Sequence, residues 1–409
     1  MHPTNGRARD AGGKMGTRIL TLSLGSFAVG TGAYVVTGVL VDVAKDLSVS
    51  VATAGLLVTV FAGTSAVASP ILVAATSGLS RKRLLVTVLM LFAIANALAA
   101  VVPTFSLLLL MRVVAALGAA VFTPVASAVA ANLAPPQMRG RALSVRTAGS
   151  TIALFVGVPV GTVVGGYYGW RASFVLVAAL AIVAAIGVIS LLPATETPAG
   201  RGSLRHLSVA KSTSVLGVLG ITTLVLMATF VVYTYVRPLI EGLTGFGVGE
   251  IGLMLALFGL AGIPGTLLGG YAADRWGYGI SMVVVLAISS ISLLLFSAIF
   301  ASEAGSVVAI LCTGTVLVVW SLSTFAHFPL QQYRLINVAP QEQSTVLSLN
   351  ASAVQGGQAL GAGLGALILH YGSLAGLGLG GASCALVALA VLANQTGIHR
   401  SPRTQRETN

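Results

Sequence analysis

Apolar residues fill this chain in long unbroken runs, and polar residues gather in short gaps between them. A helix that crosses a bilayer needs about 20 apolar residues. Read with that length, the pattern predicts twelve spanning helices, at 19–41, 51–75, 84–102, 105–131, 142–166, 172–192, 214–236, 248–272, 279–300, 305–328, 344–369 and 373–395. Most gaps are short, so consecutive helices are expected to run antiparallel. The first run is too long for the core of a signal peptide and no small-residue cleavage site follows it, so it reads as a retained span. The longest gap, Pro193 to Thr213, falls mid-chain.

That central gap suggests a duplication, and the sequence carries one. Leu133-Ala-Pro135 is echoed by Val338-Ala-Pro340, and Leu143-Ser144 by Leu347-Ser348. Gly157 and Gly161 recur 204 residues on, as Gly361 and Gly365. The predicted fold is an all-α membrane protein of two pseudo-symmetric six-helix bundles, 19–192 and 214–395. A tail (1–18), a linker (193–213) and a second tail (396–409) complete it. Parallel repeats of this kind are a transporter arrangement.

Composition agrees. Only 8% of the 409 residues are charged and 56% are hydrophobic, whereas a soluble domain carries roughly a quarter charged residues. The net charge of +12 would suggest nucleic acid in a soluble protein, but here it has no basic face or stacking platform to serve one. It reads instead as a topology signal. Most of the 22 basic residues fall on one side, at Arg7, Arg9, Lys14, Arg18, Arg81–Arg83, Arg139, Arg141, Arg201, Arg205, Lys211, Arg275, Arg334, Arg400, Arg403 and Arg406. Lys45, Arg171 and Arg237 are assigned to loops on the other. Both termini are therefore expected in the cytoplasm, with the chain multi-pass in the cell membrane. Cys312 and Cys384 lie inside apolar runs without metal or disulfide spacing. No catalytic cluster and no phosphate-binding loop appears, so neither an enzyme nor an ATP-driven pump is expected.

The stretch Gly157-Val-Pro-Val-Gly-Thr-Val-Val-Gly-Gly166 concentrates poor helix formers inside a span. Gly149, Ala153, Gly157, Gly161 and Gly165 share one helix face, and Ala353, Gly357, Gly361 and Gly365 repeat it. Small residues let helices approach closely, and Pro159 softens the helix. The face is expected to form a seam on which one half moves against the other. Of the ten acids, only Asp42 borders a span. Arg112 lies at a similar depth, so the two are expected to interact and to carry proton coupling. Arg146 is expected to snorkel, and His327 is the one histidine in a span.

These motifs resemble the major facilitator superfamily, in particular the twelve-span drug/proton antiporter branch and its arabinose-efflux and chloramphenicol-export group. Gly157–Gly166, with Gly149 and Pro159, is similar to the antiporter motif of the fifth span, although Val158 separates a glycine and a proline that strict members hold adjacent. Gly270-Tyr-Ala-Ala-Asp274-Arg275-Trp-Gly277 resembles the loop motif that acts as a cytoplasmic latch. Arg112, Pro329-Leu-Gln331 before Arg334, Asn350, and Gly30-Thr31 with Val35 also fit. Ala33 stands where the group commonly has glutamate.

The resemblance implies a cavity between the halves, with Tyr34, Thr37, Tyr233, Asn350 and Gln355 as candidate lining residues, joined by Phe230, Tyr235, Trp320 and Gln358. It implies export of small neutral or amphiphilic compounds by a monomer, driven by the proton gradient, with no cofactor and no metal. A uniporter or importer on the same fold, and a non-transporting membrane receptor or assembly partner, are the alternatives.

Overall fold

The computed structural model describes residues 4–135, 138–193, 212–300, 306–340 and 342–396. Linker residues 194–211 and tail residues 397–409 lie outside the described residues, as do the side chains of Arg7, Arg9 and Lys14. The first half comprises α1 (Thr4–Asp46), α2 (Val51–Ala54), α3 (Leu56–Ala75), α4 (Arg81–Ala99), α5 (Phe105–Leu133), α6 (Arg139–Ile152), a π-helical turn (Ala153–Gly157), α7 (Val158–Tyr168) and α8 (Trp170–Leu191). The second comprises α9 (Thr213–Tyr233), α10 (Val236–Thr244), α11 (Val248–Ile299), α12 (Val307–Val338), α13 (Gln343–Tyr371) and α14 (Leu374–Thr396).

Ten of the described helices are long and apolar enough to cross a membrane. One of them, α11, runs for 52 residues and holds two of the predicted spans. They are divided at Gly277, whose φ of 74° and ψ of 168° are accessible essentially only to glycine. The predicted span 344–369 is α13, which is less apolar because it carries Asn350, Gln355 and Gln358 among its glycines.

The helices begin where polar side chains satisfy free N–H groups. Ser50 accepts from Thr53 N, Thr104 from Leu107 N and Ser306 from Ala309 N. All three caps lie at the end opposite Arg81, Arg139 and Arg334, called the far end below, in contrast to the basic end. At the basic end, Arg18 Nε donates to Leu191 O (3.2 Å) and Lys82 Nζ to Leu192 O (2.6 Å). Both cations thus sit at the carbonyl end of α8, where a helix dipole favours positive charge.

Within the first half, α1 packs on α6, α7 and α8, and α4 packs on α5 and α8. Within the second, α9 packs on α13 and α14, and α11 on α12 and α14. The halves meet along two seams, α3 against α13, and α7 with the π turn against α11. Apolar side chains also coat the outside, including Leu253, Leu267 and Val307. Exposed Tyr167, Tyr168 and Tyr371 at the far end, with Tyr271 and Trp276 at the basic end, mark two aromatic girdles of the kind found at membrane interfaces.

The glycine face corrects an expectation. A Cβ on Gly149 would strike the Ser23 carbonyl, one on Gly157 would strike Thr31, and one on Gly161 would strike Val35. Gly165 faces Val39 and Ser173. All are contacts inside the first half, mainly onto α1. The repeated face behaves alike, with Gly357 and Gly361 set against Thr223 and Met227 of α9. The stripe therefore binds helices within each half. The seam between halves uses other residues: Gly166 against Val248, Val163 against Gly252, and Phe155 against Gly259. A four-residue period tells which residues share a face but not which neighbour that face meets.

Candidate functional site

A cavity of about 850 Å³ lies between the halves, reaching from mid-helix to the basic end. The π turn and α6 form one wall, and α9, α11 and α12 form the other. A π turn is often found at functional positions in helices. Here it precedes Pro159 and leaves Leu154 and Phe155 facing the cavity.

The inner end of the cavity is a cluster of rings. Tyr34 of α1 lies 6.0 Å from Phe230 and 6.4 Å from Tyr233, centroid to centroid. Tyr233 continues to Phe258 at 5.1 Å, and Phe258 to Trp320 at 5.0 Å. Gln358 Nε2 donates to the Tyr34 hydroxyl at 3.0 Å, a hydrogen bond from one half to the other. Thr37 donates to Tyr34 O at 2.8 Å and sits behind the ring.

Toward the mouth the lining changes to hydroxyls and amides, with Ser144, Thr147, Thr151 and Gln332. Thr324 also lines the cavity, and its Oγ1 has no hydrogen-bond partner among the described residues. No described lining residue is charged. The arrangement can hold an uncharged ligand by apolar contact and orient it with a few hydrogen bonds.

Of the candidate lining residues, the structure places Tyr34 and Tyr233 in the cavity, together with Phe230 and Gln358. It places Asn350 elsewhere, with its Oδ1 accepting from Thr222 at 2.8 Å inside the second half. Gln355, Tyr235 and Trp320 also lie outside the lining, Trp320 one ring behind it. The α6 hydroxyls Ser144, Thr147 and Thr151 are not among the candidate lining residues, Ser144 entering the sequence reading only through the internal echo with Ser348. Their spacing of three and four residues was the available signal.

The far end is closed by charge. Arg237 forms a two-point ion pair with Asp42, Nη2 to Oδ1 at 3.0 Å and Nη1 to Oδ2, and Nη1 also donates to Gly38 O at 2.7 Å. The assignment of Arg237 to an outer loop is thereby corrected. It lies on α10, 4% exposed, because the chain bends at Thr234–Tyr235 and turns a new helix back over α1. Asp42 and Arg112 are not brought together. Arg112, 1% exposed, donates to the carbonyls of Gly32 (2.8 Å), Ala33 (3.3 Å) and Leu57 (3.4 Å), with its guanidinium 4.3 Å from the Phe61 ring centre. It ties α1, α3 and α5 together. Arg146 does not snorkel either. It is buried and donates to Thr123 O at 3.0 Å.

The basic end is open. The side chains of Asp274 and Arg275 are exposed and make no hydrogen bond or ion pair with a described residue, so the latch residues of the loop after Gly270 are not fastened in this conformation. His327 is buried on α12 beside Phe328, outside the cavity lining.

Residues 22–362 and, in an overlapping match, 219–407 fit the Major Facilitator Superfamily. The chain is 32% identical to the MFS-type transporter YbcL of Bacillus subtilis (strain 168) over 372 residues, 91% of this chain and 94% of that one. It is 30% identical to the inner membrane transport protein YdhP of Escherichia coli (strain K12), covering 88% and 90% of the two chains. Among solved structures, a bacterial homolog of the human lysosomal transporter Spinster, inward-facing and unoccupied, superposes with a TM-score of 0.71 at 16% identity, covering 94% of this chain and 96% of that one. A two-bundle helical fold, a cavity between the bundles and matches along nearly the whole chain converge: this chain is a multi-pass membrane transporter, not an enzyme, and belongs to the Major Facilitator Superfamily.

Proposed function

We propose that this chain exports small neutral or amphiphilic compounds across the cell membrane in exchange for protons. One chain is the working unit, both termini are cytoplasmic, and the proton gradient supplies the energy without a cofactor. The observation that carries this reading is the uncharged, ring-floored cavity between the halves, open at the basic end and sealed at the other by Asp42–Arg237. Basic residues favour the cytoplasmic side, so the open mouth faces the cytoplasm, where an exporter loads.

Coupling is assigned to Asp42. Among the described acids it is the one that joins the halves inside a span. Protonating it removes one charge of the pair and frees Arg237 from its strongest partner. The outer end can then part while the basic end closes, bringing Asp274 and Arg275 toward their latch positions. Asp42, part-accessible beneath the far end, takes its proton from that side; the ligand leaves there, and as the halves close again Arg237 displaces the proton toward the basic end.

A panel of neutral and amphiphilic antibacterials, run in a host lacking its own pumps, tests this. Expression is expected to raise the inhibitory concentration of at least one compound about fourfold. A protonophore and Asp42→Asn should each abolish the gain. A second reading, a uniporter or importer, is favoured by the lack of any carboxylate among the described cavity residues. It would be supported by flux that ignores both treatments.

A further inference from the structure

One seam that bounds the cavity is closely packed for only part of its length. The seam of α7 and the π turn on α11 is an antiparallel zipper, with Gly166 on Val248, Val163 on Gly252 and Phe155 on Gly259. The next rung toward the basic end would set Ile152 against Ile263. That rung is not closed. Ile152 is 39% and Ile263 41% exposed, and both line the cavity. The close packing on α11 does not continue along α6. Below Phe155–Gly259, therefore, no close α6–α11 packing seals this side of the cavity, and the gap between Ile152 and Ile263 is called the slot below.

Both lips of the slot are apolar and continuous with lipid-facing stripes. Ile152, Val156 and Val160 form one stripe, and Leu260, Ile263 and Leu267 the other. Residues three or four apart on a helix share a face, so each lip lies in line with a lipid-exposed stripe. At the opposite seam, no described α3 residue lines the cavity.

We infer that the ligand enters sideways, as a single-chain or similarly slender amphiphile dissolved in the basic-end leaflet. Its hydrocarbon part passes between Ile152 and Ile263. Inside, the cavity is graded to receive it. Phe155, Phe258, Phe325 and Phe328 take the apolar part, while Ser144, Thr147 and Gln332 at the mouth bond an uncharged polar head. With no charged residue in the described lining, a headgroup of net charge would enter without a partner there and is disfavoured. This inference names the substrate class of the transport cavity and rests on that reading.

The test needs no transport, so a failed slot and a failed transport reading are distinguishable. In the full chain with Cys312→Ala and Cys384→Ala, a bimane fluorophore is attached at Phe328→Cys and the protein is placed in phosphatidylcholine vesicles. The quenchers are a neutral alkyl glycoside brominated on its chain, held below micelle formation, and aqueous iodide. Both are expected to quench. Adding Ile152→Trp with Ile263→Trp should cut quenching by the brominated amphiphile about fivefold and leave iodide quenching intact, which also reports a folded, open cavity. Should that pair fail to fold, Ile152→Ser with Ile263→Ser makes the lips polar and should slow amphiphile quenching with iodide unchanged. Absent amphiphile quenching in the unplugged protein, or equal amphiphile quenching with and without substituted lips, overturns the proposal and places entry at the aqueous mouth.

Discussion

Asp42 at the end of α1 and Arg237 on α10 come from opposite halves of the chain, yet they share a two-point ion pair beneath the far end, and Arg237 holds the Gly38 carbonyl as well. Asp42 keeps 32% of its side chain accessible while Arg237 keeps 5%. The pair is therefore screened by solvent on one side and sheltered on the other. Arg237→Gln removes the cation but keeps most of the volume, and should relax the closure by about 1–3 kcal/mol. In a background without Cys312 and Cys384, a cysteine at Thr37, buried behind the closure, should react roughly tenfold faster with a membrane-impermeant maleimide added at the far end. An unchanged rate would remove the pair as the clamp.

The Tyr34–Gln358 bond is a second tie between halves, formed at the inner end of the cavity. Tyr34→Phe and Gln358→Ala each delete it while keeping the Tyr34 ring against Phe230 and Tyr233. A double-mutant cycle read by thermal unfolding should give a coupling of about 0.5–1.5 kcal/mol. Purely additive effects would mean the bond contributes nothing.

The two kinds of glycine contact should separate cleanly. At Gly149 the obstacle is the Ser23 backbone carbonyl, which cannot rotate away, whereas at Gly161 it is one methyl of Val35, which can. Gly149→Ala should therefore cost about 1–3 kcal/mol and Gly161→Ala less, seen as unequal losses in unfolding temperature. Gly63→Ala is expected to be neutral, since the nearest atom is Ala359 Cβ at 3.7 Å across the seam between halves. Gly63→Leu should instead slow turnover in a folded protein.

Arg112 is a structural cation, tied to three carbonyls of α1 and α3 and stacked on Phe61. Lysine cannot present a planar fork to carbonyls on two helices. Arg112→Lys should lower stability by on the order of 2 kcal/mol and Arg112→Ala by more, because the carbonyls lose their donors. Matching unfolding temperatures for Arg112→Lys and wild type would contradict this role.

Much of the architecture was already legible as length and polarity. The polar gaps located the helix ends, since hydrocarbon leaves the backbone of a spanning segment no option but helix. The internal echo of Leu133-Ala-Pro135 in Val338-Ala-Pro340 pointed to two halves. Gly277 marked the break inside α11 because its backbone conformation excludes side chains. The cavity was legible in part. Tyr34, Phe230, Tyr233 and Gln358 stood out as polar or aromatic groups in apolar helices, whereas the hydroxyls of α6 did not.

Partners were a different matter. Asp42 was recognisable as the acid to watch, but Arg237, not Arg112, answers it, and the glycine stripe meets α1 rather than the other half. Local sequence sets period, length and the cost of burying each group. Which faces meet is decided by how whole helices pack, through contacts between residues as distant as 42 and 237 that no local pattern encodes. The chain thus specified its long apolar spans and their polar ends by itself, and only the tertiary structure chose the pairings that close one end and leave the other open.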